Sequence, residues 1–148
     1  MNIKYLVIHH TAGNKFAKME DEKNEHLKHG YVDIAYNGFI EWDGTFKLGR
    51  NWNDPSQDNA ANEGLNNCSL SICLAGNFEL YEPNENQLKT LVQVAATWCK
   101  KFNIKSESII GHYQVKDIVN DPSVATLCPG KNLIKKLPEI RLKIKKYL

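Results

Sequence analysis

The sequence lacks any apolar run long enough to cross a bilayer. A transmembrane helix needs about 20 consecutive, mostly apolar residues, and no apolar segment in these 148 residues approaches that length. The apolar stretch nearest the start, Tyr5 to Ile8, is also too short for the core of a secretory leader, and His9 follows it at once. We therefore expect a chain with no membrane partner that stays in the cytoplasm until another route releases it.

The sequence has little excess of charge of either sign. Lys and Arg number 19 and Asp and Glu 17, which leaves a net charge of +2. Nucleic-acid-binding domains usually carry a strong basic excess, so we expect no nucleic-acid partner. Many of the cations lie between Lys131 and Lys146, interleaved with Leu and Ile. That spacing is typical of an amphipathic helix with a solvated basic face.

Cysteine falls well short of the density of a disulfide scaffold, with four in the chain. A chain that is neither short nor visibly secreted gives little reason to expect a disulfide framework. Cys73 lies in an alternating apolar segment and Cys99 in a helical pattern, where a cysteine usually packs as a small apolar residue. Cys128 alone has a chemical context, because it opens a Cys-Pro-Gly turn.

Hydrophobic periodicity predicts one α/β domain over residues 1–148, with helices on the faces of its sheet. The predicted strands are Lys4–His9, Ile34–Trp42 with a hairpin partner after Asp43-Gly44, the segment through Cys73, and Ser108–Gly111. The predicted helices are Glu22–Lys28, a long helix capped by Asn84 with Gln87 three residues later, and one or two in Asn132–Leu148. We expect irregular loops over Arg50–Asn67 and between His112 and Cys128.

Three short motifs, far apart in the chain, offer two imidazoles and a thiolate. They are Ile8 to Gly13 with its His-His pair, Ile110 to His112, and Leu127 to Gly130. Three protein ligands of this kind are typical of a catalytic zinc, which keeps its fourth position for water. Because successive strand side chains face opposite ways, we do not expect His9 and His10 to bind one ion together. The motifs therefore predict a hydrolytic zinc site.

The order of the motifs resembles that of the type 2 N-acetylmuramoyl-L-alanine amidase family, which includes phage lysozyme-type amidases and animal peptidoglycan-recognition proteins. The resemblance covers nearly the whole chain, and it implies the family's α/β fold, a single domain with a central mixed sheet flanked by helices. It rests on Val7 to Gly13, Ala35 to Ile40, Asp43 to Thr45, Gly49-Arg50, Ser71-Ile72, Gly76 to Phe78, Gly111-His112 and Cys128 to Gly130. Each segment alone is a weak signal, and the shared order and spacing make the match specific.

The resemblance implies zinc ligands at His9, His112 and Cys128. It also implies that Tyr36 lies near the metal and assists the chemistry. Thr126 falls where some members of the family have a catalytic lysine and others a threonine. A threonine can donate a hydrogen bond to a developing oxyanion but carries no charge. We therefore expect Tyr36 and zinc to provide more of the stabilisation than Thr126.

The chain also departs from the family pattern. Gln114 stands two residues after the second histidine, where an Asp is common, and the segment from Val115 to Leu127 is long. Ala61 replaces a family histidine, and Cys73 stands where glycine is frequent. No metal ligand is lost. Two carboxylates, Glu41 and Glu63, lie near the predicted pocket segments, but neither is assigned as a general base.

The resemblance implies hydrolysis of the amide between N-acetylmuramic acid and L-alanine in peptidoglycan, by a monomer whose substrate is peptidoglycan or a muropeptide. Two rivals stay open: a peptidoglycan-binding module without catalysis, and a zinc hydrolase of another amide. Binders of the first kind commonly lose a zinc ligand, and this chain keeps all three. A phage or prophage lytic enzyme, or endolysin, fits the sequence better than a recycling enzyme.

Overall fold

The fold is built on a five-stranded mixed sheet with the strand order β3-β2-β4-β1-β5. The computed structural model describes residues 2–54 and 59–148, so part of the predicted loop Arg50–Asn67 lies outside the described residues. The strands are β1 (Tyr5–His10), β2 (Gly38–Ile40), β3 (Phe46–Leu48), β4 (Ser69–Leu74) and β5 (Ile109–Gly111). The neighbours β2 and β4, β4 and β1, and β1 and β5 run parallel, whereas β2 and β3 form an antiparallel hairpin.

Five helices flank the sheet in the part of the chain that the structure describes. They are α1 (Met19–Lys28), α2 (Glu85–Phe102), α3 (Val115–Ile118), α4 (Lys131–Ile134) and α5 (Leu137–Lys145), with short 3-10 turns at Ser106–Ser108, His112–Gln114 and Pro122–Val124. Within the described ranges, none of them has the length and apolar character that a bilayer span requires. The predicted single α/β domain with a central mixed sheet is confirmed.

The two faces of β1 pack into two different hydrophobic clusters. Leu6 and Ile8 lie in the main core, which packs against α2 and α5. Val7 lies in a second cluster with Leu65, Ile110 and Val115 on the opposite face. Each such fully buried aliphatic side chain contributes about 1.5–3 kcal/mol relative to an exposed one. The alternation therefore sets the direction of the two residues that end the strand, His9 and His10.

Helix α2 begins as its sequence predicts. The side chain of Asn84 accepts a hydrogen bond from the backbone N–H of Asn86, and Gln87 reaches back to the N–H of Asn84 at 3.1 Å. The apolar stripe of the helix, including Leu91, Ala95 and Cys99, is buried in the main core. The side-chain NH₂ group of Gln87 adds a tertiary contact, because it donates a 2.9 Å hydrogen bond to the carbonyl of Ala75. Both the cap and the direction of the stripe are confirmed.

Two predicted segments differ from the structure. The predicted strand Ile34–Trp42 is only Gly38–Ile40, because the guanidinium of Arg50 holds the carbonyls of Asp33 and Ile34 and bends the chain before the strand starts. The segment between His112 and Cys128 is not an open loop, since α3 forms within it. Val115, fully buried in the second cluster, anchors that helix, and tertiary burial of this kind is not visible as local periodicity.

Candidate metal centre

The candidate site lies at one edge of the sheet, where parallel strands end. Residue Ile8 of β1 pairs with Gly111 of β5, so His9, near the end of β1, and His112, directly after β5, lie at the same edge. Cys128 reaches this edge from the loop before α4, and its carbonyl accepts a 2.8 Å hydrogen bond from the N–H of Tyr113. Ligands commonly bind beyond the carboxyl ends of parallel strands. The topology thus brings the first motif, near the start of the chain, together with two motifs near its other end.

The structure brings the three predicted metal ligands together. One ligand atom from each of His9, His112 and Cys128 lies within 4.8 Å of the other two. The Sγ atom of Cys128 is 3.6 Å from Nδ1 of His9. Zn–N bonds of about 2.1 Å and Zn–S bonds of about 2.3 Å in a tetrahedron imply ligand separations of about 3.5 Å. The spacing and the His-His-Cys donor set therefore fit a zinc ion, with room for a fourth ligand.

His9 presents Nδ1 to this cluster because its other ring nitrogen is taken. The Nε2 atom lies 2.6 Å from Oδ1 of Asn62, a fully buried side chain in the loop before β4. The ring of His9 lies 4.5 Å from that of His112, measured between centroids. The imidazole is thus held between the asparagine and the other two predicted ligands.

His10 points to the other face of the strand, as alternation predicts. Its Nδ1 accepts a 3.1 Å hydrogen bond from the N–H of Phe78, and its ring packs 5.9 Å from the ring of that residue. The N–H of His10 in turn points at Sγ of Cys128, 3.4 Å away. His10 therefore takes part in packing and in holding the thiol, and it does not belong to the group of three ligand atoms.

Burial keeps the candidate ligands neutral in the absence of metal. It lowers the pKa of His9 to about 3, with a further decrease from the neighbouring His112, and it lowers the pKa of His112 as well. It raises the pKa of the Cys128 thiol to about 12, although the hydrogen bond from His10 opposes the shift. Neutral imidazoles have the lone pair that a metal needs, and a bound zinc ion deprotonates a coordinating thiol.

Tyr36 lies beside the cluster. Its ring centroid is 5.1 Å from that of His9 and 5.5 Å from that of His26. Burial raises the pKa of the Tyr36 phenol well above 10, and the neighbouring thiols of Cys73 and Cys128 add to the shift. The hydroxyl therefore stays protonated at any pH near neutrality, as a hydrogen-bond donor must.

Thr126 lies two residues before Cys128 and forms a turn with it. Its Oγ1 accepts a 3.2 Å hydrogen bond from the N–H of Cys128. Because this bond uses a lone pair and not the hydroxyl hydrogen, Thr126 can still donate that hydrogen. The turn is followed by Gly130, whose φ of +91° and closeness to the backbone of Phe78 leave no space for a Cβ.

The cluster opens into a cavity of about 470 Å³. Its walls are formed by His9, His10, Ala12, His26, Tyr31, Ala35, Tyr36, Ala60, Ala61, Asn77, Glu79, His112, Thr126, Leu127 and Cys128. All five residues predicted for the site are among them. A cavity of this size accommodates a small ligand or one part of a polymer.

Two residues that shape this site, His26 and Asn62, were not predicted from the sequence. His26 accepts a 2.9 Å hydrogen bond from the N–H of Ala35 and lies 3.6 Å from the carboxylate of Glu22, one turn earlier on α1. The i, i+4 spacing of Glu22 and His26 was the available signal. Asn62 was the other residue missed, and its loop has so many polar residues that nothing in the sequence marks it.

Glu41 has a structural role away from the cluster. Its carboxylate accepts a 3.1 Å hydrogen bond from the N–H of Met19 and lies 3.7 Å from the ammonium of Lys18. It therefore stabilises the start of α1. Glu63 is exposed to solvent. Neither carboxylate is among the residues that line the cavity.

The fold and the site together define a class: an α/β domain whose parallel strands end at a His-His-Cys group able to hold a metal ion. The chain belongs to the N-acetylmuramoyl-L-alanine amidase family, whose model matches residues 1–131. Membership agrees with the family resemblance of the sequence.

Relatives of two kinds are similar to this chain. Peptidoglycan-recognition protein SC2 of Drosophila simulans is 33% identical over 140 residues, which cover 88% of this chain and 70% of that protein. The solved structure of the amidase LysC from Clostridium intestinale has a TM-score of 0.82 at 26% identity, covering 97% of this chain and 86% of its own. The endolysine amidase LysCS from the same organism has a TM-score of 0.81 at 26% identity, covering 97% and 84%. Amidases and recognition proteins thus share this fold.

Proposed function

We propose that this protein is a zinc-dependent N-acetylmuramoyl-L-alanine amidase, and that residues 1–148 act as one catalytic domain. The observation that carries the proposal is the group of ligand atoms of His9, His112 and Cys128, within 4.8 Å of one another, in a cavity that also contains Tyr36 and Thr126. Family membership supplies the substrate: the amide that joins the lactyl group of N-acetylmuramic acid to L-alanine.

The three predicted ligands would hold the ion through Nδ1 of His9, the ring of His112 and Sγ of Cys128. When bound, zinc supplies a water of lowered pKa and an electrophilic contact for the scissile carbonyl. The low pKa of His9 leaves its imidazole neutral at pH 7, so binding at this ligand need not displace a proton. Three ligands leave the fourth position accessible from the cavity.

Tyr36 and Thr126 act on the substrate. Attack on the amide carbon places negative charge on the carbonyl oxygen, and hydrogen-bond donors stabilise that charge most when they are fixed in advance. The phenol of Tyr36 remains protonated because burial raises its pKa, and the hydroxyl hydrogen of Thr126 is not used by its bond to the N–H of Cys128. We assign both as donors to the oxyanion.

The recognition-protein relatives make binding without cleavage the alternative. The test is a digest of purified sacculi followed by mass spectrometry, using the wild type, the chelator-treated wild type and His112→Ala. We expect only the zinc-loaded wild type to release free stem peptides. The His112→Ala variant should be folded but contain no zinc. Binding to sacculi without release of peptide would contradict the proposal, as would full activity in metal-free His112→Ala.

We propose a lytic role, which the similarity to the endolysine amidase LysCS supports. The same digest, run in parallel on intact sacculi and on soluble anhydro-muropeptides, separates the roles. Faster cleavage of sacculi is expected for lysis. Faster cleavage of the soluble fragments would instead indicate recycling.

A further inference from the structure

The buried amide of Asn62 connects His9 to the sheet through a hydrogen-bond network whose donors and acceptors can be assigned. Nδ2 of Asn62 lies 2.8 Å from Oγ of Ser69 and 3.3 Å from the carbonyl of Leu70. Oδ1 lies 2.6 Å from Nε2 of His9. Asn62, His9 and Ser69 are all buried, so these bonds do not compete with solvent.

The orientation of the amide follows from its partners. The Ser69 hydroxyl donates its hydrogen to the carbonyl of Leu65, 2.6 Å away, and therefore accepts from Asn62. The carbonyl of Leu70 can only accept. Both contacts thus require the NH₂ group of Asn62 on that side, which leaves its carbonyl oxygen facing His9.

That orientation determines the tautomer of His9. A carbonyl oxygen can only accept, so Nε2 of His9 must carry the hydrogen in the contact with Asn62. In the neutral imidazole the lone pair is then on Nδ1, the atom that lies 3.6 Å from Sγ of Cys128. Ligating histidines commonly donate their other N–H to an acceptor in this way, and loss of that acceptor typically costs 10–100-fold in metal affinity or activity.

We propose that Asn62 is a positioning residue for the metal site, which fixes the Nε2–H tautomer and the ring orientation of His9 and so tightens zinc binding. The inference rests on the proposed function only in that zinc occupies this site. The segment before β4 thereby helps to orient His9. Within it, the N–H of Asn62 donates a 2.8 Å hydrogen bond to Oδ1 of Asn66. Asn66 supports the loop but does not contact His9.

The first test uses nitrogen-15 NMR of the metal-free wild type at pH 7. We expect the hydrogen of His9 on Nε2, protected from exchange with water, and an unprotonated Nδ1. A hydrogen on Nδ1 would overturn the assignment. This measurement needs no variant, so it decides the tautomer even if a substitution prevents folding.

The second test measures the zinc dissociation constant by competition with a chelator. Asn62→Leu, which keeps the approximate shape but has no acceptor, is expected to weaken zinc binding about 10–100-fold. Asn62→Asp keeps the acceptor and should bind zinc as tightly as the wild type or more tightly. Asn66→Ala loosens the loop but keeps the side-chain amide of Asn62, so it is the control and should weaken zinc binding far less than Asn62→Leu does.

Urea unfolding of each metal-free variant establishes that the fold is retained. Equal weakening in Asn62→Leu and Asn66→Ala would show a general effect of the loop and overturn the proposal, as would unchanged affinity in Asn62→Leu. Neither test involves peptidoglycan. If zinc binding responds as expected while sacculi remain intact, the proposed reaction fails and the positioning role of Asn62 stands.

Discussion

At the scale of single residues, the chemistry of this site depends on side chains whose surroundings restrict them to one state. His9 is neutral because burial lowers its pKa, and its ring is held between Asn62 and Cys128. The phenol of Tyr36 stays protonated because burial raises its pKa and two neighbouring thiols add to the shift. The site is therefore arranged in advance for the metal ion and the carbonyl oxygen that we propose it binds.

Tyr36→Phe tests the donor role directly. Loss of one fixed oxyanion donor typically lowers kcat by about 10²–10³-fold, and we expect a loss of that order with zinc content unchanged. Zinc content is measured by elemental analysis and turnover with a soluble muropeptide. Tyr5→Phe, which removes a hydroxyl from the first residue of β1, is the matched control. A fall in zinc content parallel to activity would show that Tyr36 is structural.

At the scale of elements, local sequence signals determine where the β2–β3 hairpin turns and where helix α2 begins. The β2–β3 hairpin turns at Asp43-Gly44, where Gly44 has a φ of +94°, a conformation that favours glycine. Helix α2 starts at a capping box and runs for 18 residues across the main core. These local signals are strong in the sequence, which is why both elements were predicted correctly.

Asn84→Ala tests how much the cap of α2 contributes. Replacing an asparagine cap by alanine typically costs about 1 kcal/mol, because the N–H of Asn86 loses its acceptor. We expect a decrease of that size in the free energy of unfolding, measured by urea titration monitored by circular dichroism. Asn86→Ala, at an exposed position in the same turn, should cause no decrease. Equal effects from both substitutions would contradict the capping role.

At the scale of the whole molecule, the fold maintains buried histidines without charge at the edge of its sheet. Burial lowers the pKa of His9 to about 3 and that of His10 to about 4, whereas an unfolded histidine titrates near 6.5. As pH falls below about 6.5 the unfolded chain binds these protons first, so protonation favours unfolding. The metal-free fold is therefore most stable, with respect to these groups, above that pH.

We predict that the metal-free protein loses stability between pH 7 and pH 5. Each of the two histidines contributes a slope approaching about 1.4 kcal/mol per pH unit below its unfolded pKa. Urea unfolding of chelator-treated protein at pH 7, 6 and 5 measures the slope. In His10→Gln, which keeps an acceptor for the N–H of Phe78, the slope should fall by the share of one histidine. An unchanged slope would show that His10 does not contribute.

The residues that the sequence could not identify are those that act through tertiary contacts. The strand predicted over Ile34–Trp42 is shortened because Arg50 binds backbone carbonyls before it. Likewise, α3 forms because Val115 is buried beside Val7. His26 and Asn62 lie on a helix and a loop with no motif of their own, and only the folded chain brings them to the cavity.

The sequence by itself determined the elements with strong local signals: the alternation of β1, the hairpin, the capped helix α2, and the three motifs that hold His9, His112 and Cys128. These follow from interactions among residues close in the chain, together with the family pattern. The tertiary structure decided which atoms meet. Sheet topology brings strand ends and a distant loop to one edge, and the buried amide of Asn62 selects Nδ1 of His9 as the atom facing Cys128. Such contacts depend on packing between distant segments, and no local sequence pattern encodes them.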